Sequence, residues 1–205
     1  MTSEANSNKR VSKGAGNASG KGRNVLNVPT TPTVADDIDL GAIVSSSHLV
    51  SPHSKELSEF EFGMIIASSA FSRWTVRCMA AAGLRDLTTI DVLVLHHVNH
   101  RARYKKLADI CFILNMEDTH VVSYSLKKLI SLGVVQAEKN GKEVTYATTE
   151  LGQKFVNKYR DIREKCLVTG LAPDGSDNPT LGELARFLRM MSGLYDQAAR
   201  AASSL

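Results

Sequence analysis

One stretch of the sequence, MEDTHVVSYSLKKLISLGVV (residues 116–135), combines an apolar and a polar face at helical spacing. Val122, Leu126 and Leu129 recur at steps of four and three, which predicts the buried stripe of an amphipathic helix. The other face could do chemistry, because it carries an imidazole, a hydroxyl, a phenol and an amine from His120, Ser123, Tyr124 and Lys127. Such groups suit either plain solvation or hydrogen bonds to the edges of nucleic-acid bases.

A pair of histidines, His96 and His100, has the spacing of a metal site. Residues four apart in a helix can bring both imidazoles to one metal ion, and the further ligands would be His97, Cys111 or His120. The competing interpretation is a buried or helix-capping pair. Because no cysteine or acidic residue completes a standard ligand spacing, the sequence predicts neither a metal nor another cofactor.

The three cysteines, Cys78, Cys111 and Cys166, lie far apart and form no CxxC pair. This spacing argues against a disulfide framework and a zinc ribbon, and it predicts a reducing, cytoplasmic environment. Cys78 falls within an apolar helical pattern without neighbouring cations. It is therefore interpreted as a packing residue, with a redox switch as the alternative.

Catalytic motifs are missing from the sequence, which has no GxSxG elbow, no HExxH motif and no kinase signature. The stretch GAGNASGKG fails as a phosphate loop, because Ala15 stands where glycine is required and Gly22 where serine or threonine is required. A GxGxxG motif fails at Ser19. The sequence therefore predicts no enzyme.

The composition is that of an ordinary soluble domain with an N-terminal extension. Of 205 residues, 43% are hydrophobic and 22% are charged, and the net charge of +4 is a weak indication of an anionic partner. No apolar run approaches the roughly 18 residues of a membrane span, and no signal-peptide core follows the N-terminus. Residues 1–50 lack aromatic side chains and are rich in small polar residues and lysine, which predicts a disordered basic and polar tail.

Ordered structure is expected across residues 51–205. A long helix at about 55–83 can stop at Gly83, and LTTIDVLVLHHVNH forms the next helix from Thr88 or Thr89. RYKKLADICFIL follows, with one apolar face of Leu107, Ala108, Cys111 and Leu114. Asn115 and Asp118 then supply a turn and a cap, so that residues 119 onward form the second helix of a helix-turn-helix pair.

The segment VVQAEKNGKEVTYATT (residues 134–149) reads as strand, turn and strand. Its Asn140-Gly141 pair is expected to supply the positive φ angles of a tight hairpin turn. A helix follows through Cys166, and a last helix begins at Asn178 and Pro179. The predicted fold is therefore mainly α with a small β-hairpin wing, a winged helix-turn-helix of about residues 87–149.

Two apolar heptad seams flank this unit, in the helices of about 55–83 and within 150–205. Such seams at opposite ends of the ordered chain predict one interface built from both, most simply a two-fold homodimer. The expected interface residues are Phe60, Met64, Phe71, Trp74, Leu184, Leu188, Met191 and Tyr195.

The order of elements resembles that of MarR-type winged-helix transcription regulators. The matching stretches are KKLADICFIL for the first helix of the pair, DTHVVSYSLKKLISLGVV for the recognition helix and TTELGQKF after the wing. The resemblance covers about residues 56–205 in architecture and about 87–155 in residue pattern. It implies a homodimer that binds near-palindromic double-stranded DNA, associates with the nucleoid and responds to a small-molecule effector.

The resemblance also implies which residues contact DNA. On the recognition helix they would be Thr119, His120, Ser123, Tyr124, Lys127 and Lys128, with Arg101, Arg103, Lys105 and Lys106 before it along a phosphate backbone. At the wing they would be Lys139, Asn140 and Lys142. The wing tip EKNGKE departs from the family pattern, because it has no arginine to enter a minor groove. The alternative function is a winged helix that docks another protein through Tyr124 and His120.

Overall fold

The computed structural model describes residues 50–171 and 178–205, so residues 1–49 of the predicted tail lie outside the described part. The elements in chain order are α1 (Lys55–Ala82), α2 (Thr89–Asn99), β1 (Lys105–Lys106), α3 (Leu107–Ile113), α4 (Thr119–Ser131), β2 (Val135–Asn140), β3 (Glu143–Thr148), α5 (Glu150–Arg163), α6 (Thr169–Leu171) and α7 (Pro179–Ala202). A short 3₁₀ segment, His100–Ala102, follows α2, and a π-helical turn, Glu164–Val168, follows α5.

Helix α1 ends where the chain can turn left-handed. Gly83 has a φ of 111°, and its N–H donates to the Ala80 carbonyl at 3.0 Å. The predicted single seam of this helix divides into two parts. Cys78 of the seam is buried in the core, whereas Phe71 of the seam is exposed. Only the C-terminal part of α1 therefore belongs to the core of the winged-helix unit.

The helix-turn-helix pair forms as the sequence predicts. Asn115 takes a φ of 51° in the turn, and Asp118 caps α4 by accepting the His120 N–H at 2.8 Å. The buried face of α3 consists of Ile110 and Cys111. Ala108, which was expected on that face, is exposed, because the seven-residue helix packs by one narrow stripe.

The sheet has three antiparallel strands in the order β1-β3-β2, of which the short β1 was not predicted. The expected turn at Asn140-Gly141 is wrong by one residue, since Asn140 pairs with Glu143 and the loop is Gly141-Lys142. Among the described residues Gly141 has a φ of 62° while Lys142 has no positive φ. Glycine at the first loop position matches the φ signs of a type II′ turn.

Gly152, in the first turn of α5, lies against the segment that enters the wing. A Cβ at this position would overlap the carbonyl oxygen of Val134. Thr149 closes the same junction, because its hydroxyl donates to the Gly133 carbonyl at 2.7 Å and accepts the Gly152 N–H at 3.1 Å. The close approach leaves no room for a larger residue at position 152.

One core joins these elements. It contains the fully buried side chains of Met79, Val92, Leu95, Ile110, Val122, Leu126, Leu129 and Val134. The stripe predicted for residues 119–131 is thus the buried face of α4. The predicted fold class, mainly α with a small wing, is confirmed. No helix within the described ranges is long and apolar enough to cross a membrane.

Candidate nucleic-acid interface

The outward face of α4 presents His120, Tyr124 and Lys127. These residues lie opposite the buried stripe of Val122 and Leu126. Tyr124 is 73% exposed, and Lys127, His120 and Thr119 are exposed as well. Ser123 lies at the edge of this face and is half-buried. An imidazole, a phenol and an amine are therefore displayed within two helical turns.

Lys128 does not belong to that face, contrary to the expectation from the sequence. Its ammonium donates to the Asp91 carboxylate of α2 at 2.8 Å and to the Asp86 carbonyl at 2.6 Å. Asp91 also accepts the Ser125 hydroxyl at 2.6 Å and the Thr88 N–H at 2.8 Å. Burial raises the pKa of Asp91, but the bonds from Lys128, Ser125 and Thr88 outweigh it and lower the pKa on balance.

The Asp91 cluster was missed in the sequence, although part of its signal is local. Thr88 and Asp91 have the spacing of a capping box, and both of its bonds are present at the start of α2. Nothing local indicates that Ser125 and Lys128, more than thirty residues later, complete the cluster. The cluster fixes α4 against α2 and so orients the exposed face of α4.

The wing tip carries Lys139, Asn140 and Lys142, all of them exposed. Within the described part of the chain, Lys127, Lys139 and Lys142 make no ion pair. Lys106, in β1, is exposed but donates to Glu143 at 2.7 Å, which partly neutralises it. The tip and the outer face of α4 therefore offer three exposed lysines that are not held in an ion pair by another described residue.

Arg103 and Lys105 lie at the base of the wing, and the structure corrects the expected role of Lys105. Lys105 is only 4% exposed, and its ammonium donates to the carbonyls of His100 and Arg103 at 2.6 and 3.2 Å. Arg103 lines a small cavity with Ala147 and Thr148. Lys105 pairs with Tyr146 of β3, which lies four positions from Lys142 of the tip, or about 13 Å along the strand.

The two histidines of the predicted metal spacing separate in the structure. Helix α2 ends at Asn99, and His100 has an extended backbone with φ −65° and ψ 125°. The four-residue spacing therefore no longer places both imidazoles on one face. His96 packs on Tyr159 with ring centroids 4.4 Å apart, whereas His97 and His100 line a different cleft. No group of three potential ligands occurs among the described residues.

His96 lines an apolar cavity of about 460 Å³ between α1, α2 and α5, together with Trp74 and Leu93. In the described part of the chain its Nε2 is buried without a hydrogen-bond partner. Burial lowers the pKa of His96 below its ordinary value of 6.5. Arg160 and Arg163 also line this cavity.

The buried His96 predicts a loss of stability in acid. Its lowered pKa means that the unfolded chain binds the proton more readily, so stability falls as the pH drops from about 6.5 towards the folded-state pKa, by at most about 1.4 kcal/mol per pH unit. Urea unfolding of the wild type and of His96→Phe between pH 5 and 7.5 measures this slope. His97→Gln is measured alongside, because burial also lowers the pKa of His97 and the wild-type slope therefore contains both contributions. Equal slopes for wild type and His96→Phe would contradict the prediction.

Of the residues of the expected dimer interface, Phe60 and Tyr195 lie where α1 and α7 meet, whereas Trp74 packs against the core beside His96. Phe60 and Phe187 meet edge to face with centroids 5.4 Å apart, and the Tyr195 hydroxyl donates to Glu61 at 3.0 Å. Helix α7 buries none of its residues. Leu184 and Leu188 are exposed, Phe71 on α1 is exposed, and Met64, Trp74 and Met191 are half-buried.

Comparison with known proteins confirms the resemblance noted in the sequence. Residues 87–152 match the family model of a winged helix DNA-binding domain. No curated protein sequence matches the chain.

Solved structures match over most of their own length. AbfR of Staphylococcus epidermidis aligns with a TM-score of 0.57 and 16% identity, covering 70% of this chain and 96% of that one. A MarR-family transcriptional regulator from Rhodococcus sp. RHA1 aligns with a TM-score of 0.53 and 13% identity, over 66% and 94%. CouR from Rhodococcus jostii RHA1, bound to p-coumaroyl-CoA, aligns with a TM-score of 0.51 and 12% identity, over 64% and 90%. At such identities the likeness establishes the fold.

Proposed function

We propose that this chain, a winged-helix protein with the fold of MarR-family regulators, acts as a homodimeric transcriptional regulator that binds near-palindromic double-stranded DNA sequence-specifically. The observation that carries the proposal is the exposed face of α4. Among the described residues, the side chains of His120, Tyr124 and Lys127 make no hydrogen bond or ion pair on a helix that the Asp91 cluster orients, and the lysines of the wing tip make no ion pair. Because the matched domain is a DNA-binding one, the proposal includes no catalytic step.

In the proposed complex α4 enters the major groove. Thr119 and Ser123 can bond to base edges or phosphate, His120 can donate or accept, and Tyr124 can pack on a thymine methyl group. Lys127 and Lys106 would contact phosphates. At the wing, Lys139, Asn140 and Lys142 would hold the backbone beside the minor groove. Lys105 and Lys128 would not contact DNA, because their ammonium groups bond within the protein, whereas the exposed Arg103 remains a proposed phosphate contact.

The proposed dimer pairs the apolar faces of α1 and α7 with those of a second copy. Two recognition helices would then occupy successive major grooves, with half-sites about one helical turn apart. The expected interface residues remain Phe60, Met64, Phe71, Trp74, Leu184, Leu188, Met191 and Tyr195. The exposure of Phe71, Leu184 and Leu188 supports this interface.

The proposal also includes an effector and a cellular location. The fold is shared with CouR, which was solved with p-coumaroyl-CoA, and a small-molecule effector is accordingly proposed for this chain. A regulator of transcription works where DNA is, so we place the protein in the cytoplasm with the nucleoid.

Selection of bound fragments from sheared genomic DNA tests the proposal, followed by salt titration on the best fragment and a scrambled control. A palindromic motif with a preference of at least about a thousandfold and a steep salt dependence is expected. Weak binding that is equal on both DNAs would contradict sequence-specific regulation.

Replacing Ser123 and Tyr124 with alanine should change which sequence is preferred. Each base contact that is lost should weaken operator binding by about 1–3 kcal/mol, whereas binding to random DNA should be nearly unaffected. Competitive binding to operator and random duplexes measures the difference. Equal weakening on both would count against base recognition by α4.

Lys142→Ala at the wing tip should weaken binding uniformly across sequences. The slope of log K for DNA binding against log[salt] should become shallower by about 0.9 for each phosphate that the variant no longer neutralises. Lys158→Ala on α5, an exposed lysine far from the tip in the chain, is the matched control and should keep the wild-type slope. An unchanged slope for Lys142→Ala would mean that the wing tip does not contact DNA phosphates.

A protein-interaction module is the second candidate, favoured by large exposed aromatic side chains. Tyr124 on α4 is 73% exposed and Phe112 on α3 is 82% exposed. In that case an aromatic patch would dock a partner protein, and affinity would change little with salt. The steep salt slope expected for DNA separates the two candidates.

A further inference from the structure

An apolar groove runs along one flank of α4, beside the N-terminal end of α2. Its lining includes Ile90 of α2 and His120, Val121 and Tyr124 of α4. Val121 is 39% exposed and Tyr124 is 73% exposed, whereas Ile90 is half-buried at the back. Because His120 and Tyr124 also belong to the outward face of α4, the groove is continuous with the proposed DNA-reading face. Base edges would therefore lie against it in the proposed complex.

The other lining residues are polar, but they are bonded to one another: Thr88, Asp91, Ser125 and Lys128. Asp91 accepts the Ser125 hydroxyl at 2.6 Å and the Lys128 ammonium at 2.8 Å. It also accepts the Thr88 N–H at 2.8 Å, and the Thr88 hydroxyl accepts the Asp91 N–H at 3.3 Å. The charges of the carboxylate and the ammonium cancel. The groove therefore presents chiefly apolar surface to a ligand.

The major groove of DNA offers one apolar recognition group, the 5-methyl group of thymine, and its other recognition groups are hydrogen-bond donors or acceptors. The side chains of Ile90 and Val121 have no polar atom, so they gain nothing from a donor or an acceptor. They do gain from a methyl group, because contact removes apolar surface of both partners from water. Burial of one methyl group strengthens binding by about fourfold.

We infer that Val121, with Ile90 behind it and Tyr124 beside it, reads the 5-methyl group of a pyrimidine, so that each half-site contains a thymine against this groove. Neither Val121 nor Ile90 was among the residues expected from the sequence to contact DNA. The inference rests on the proposed function and deepens it, because it names the base chemistry that this flank of α4 selects. Val121 is accordingly a specificity-determining residue.

Two pairs of synthetic duplexes, each about two helical turns long, test the inference without knowledge of the operator. Alternating dA-dT, in which thymine carries the methyl group, is compared with alternating dA-dU, which lacks it. Alternating dG-dC is compared with the same duplex containing 5-methylcytosine, whose methyl group occupies the corresponding place in the major groove. At one salt concentration, the full chain should bind the methylated member of each pair at least about fourfold more tightly.

The outcomes separate this inference from the proposed function. Equal binding within each pair would overturn the reading of a methyl group and leave DNA binding intact. Failure to bind any of these duplexes would contradict DNA binding itself, and with it the inference. A preference for the methylated member in both pairs supports the inference, because the two pairs share the methyl group and differ in every other recognition group of the major groove.

Variants locate the contact. Val121→Ala removes most of the apolar side chain, so the advantage of the methylated duplexes should fall below about twofold, while binding to dA-dU stays within about twofold of wild type. Val121→Ile keeps an apolar side chain and should retain the advantage. Val144→Ala, in β3, is the matched control, because Val144 is also 39% exposed, and it should retain the advantage too. Thermal unfolding checks that the variants fold. An advantage that survives in Val121→Ala, or that falls equally in Val144→Ala, would overturn the inference.

Discussion

Charging the apolar stripe of α7, through Leu184→Asp together with Leu188→Asp, should convert the protein to a monomer and weaken operator binding by about a hundredfold or more. The reason is that α7, at 24 residues, buries none of its side chains within one chain. Leu184 and Leu188 are about half exposed, beside Phe187, which touches Phe60 of α1. A monomer would have to bind one half-site without the avidity that a linked second half-site provides, typically about a hundredfold or more.

Sedimentation and operator titration measure both parts of this prediction. Arg189→Ala together with Arg200→Ala is the matched control, because it changes the net charge by the same amount on the opposite face of α7. The control should remain dimeric. A charged-stripe variant that stays dimeric and binds the operator within about threefold of wild type would place the interface elsewhere.

Asp91→Ala should lower the free energy of unfolding by about 3 kcal/mol. This substitution removes a carboxylate that is only 4% exposed and that bonds to Lys128, Ser125 and Thr88 at once. It breaks a largely buried ion pair and a helix cap together. Asp161→Ala is the matched control, since its pair with Arg160 is 3.4 Å long and well exposed, and it should cost below about 0.5 kcal/mol.

A double-mutant cycle and a pH series sharpen this prediction. Lys128→Met should destabilise alone, and the double variant should lose less than the sum of the single losses by about 1–2 kcal/mol. The pKa of Asp91 is below its ordinary 3.8 in the folded state, so its stabilisation is present above pH 4 and lost as the pH falls through the folded value. Strict additivity, or a difference from wild type that does not shrink as the pH is lowered below 4, would contradict the proposed role of the pair.

The Asp91 prediction also separates stability from DNA contact at Lys128. If Lys128 were a phosphate contact, its loss would reduce the salt slope of DNA binding. With its ammonium on Asp91 and the Asp86 carbonyl, the effect is expected in the unfolding free energy instead. The orientation of α4 therefore depends on a side chain that, by type and position alone, resembles a DNA contact.

Local patterns determined most of the secondary structure. The buried stripe of Val122, Leu126 and Leu129, the caps at Thr88, Asp118 and Asn178, and the stop at Gly83 all appear as predicted. Each depends on residues within about one or two helical turns, because helical periodicity and capping bonds are short-range. The sequence of helix, helix and hairpin then indicated the winged-helix fold.

The tertiary structure alone decided which basic residues are available. Lys128 bonds to Asp91 across 37 positions of the chain, and Lys105 turns inward at a strand, β1, too short to show in the sequence. Because α2 ends at Asn99, His96 and His100 line different cavities. These outcomes depend on contacts between distant segments, which determine whether a charged side chain is buried, paired or free. The sequence by itself determined the helices, the wing and the outer face of α4, whereas long-range packing decided which charges remain on the surface.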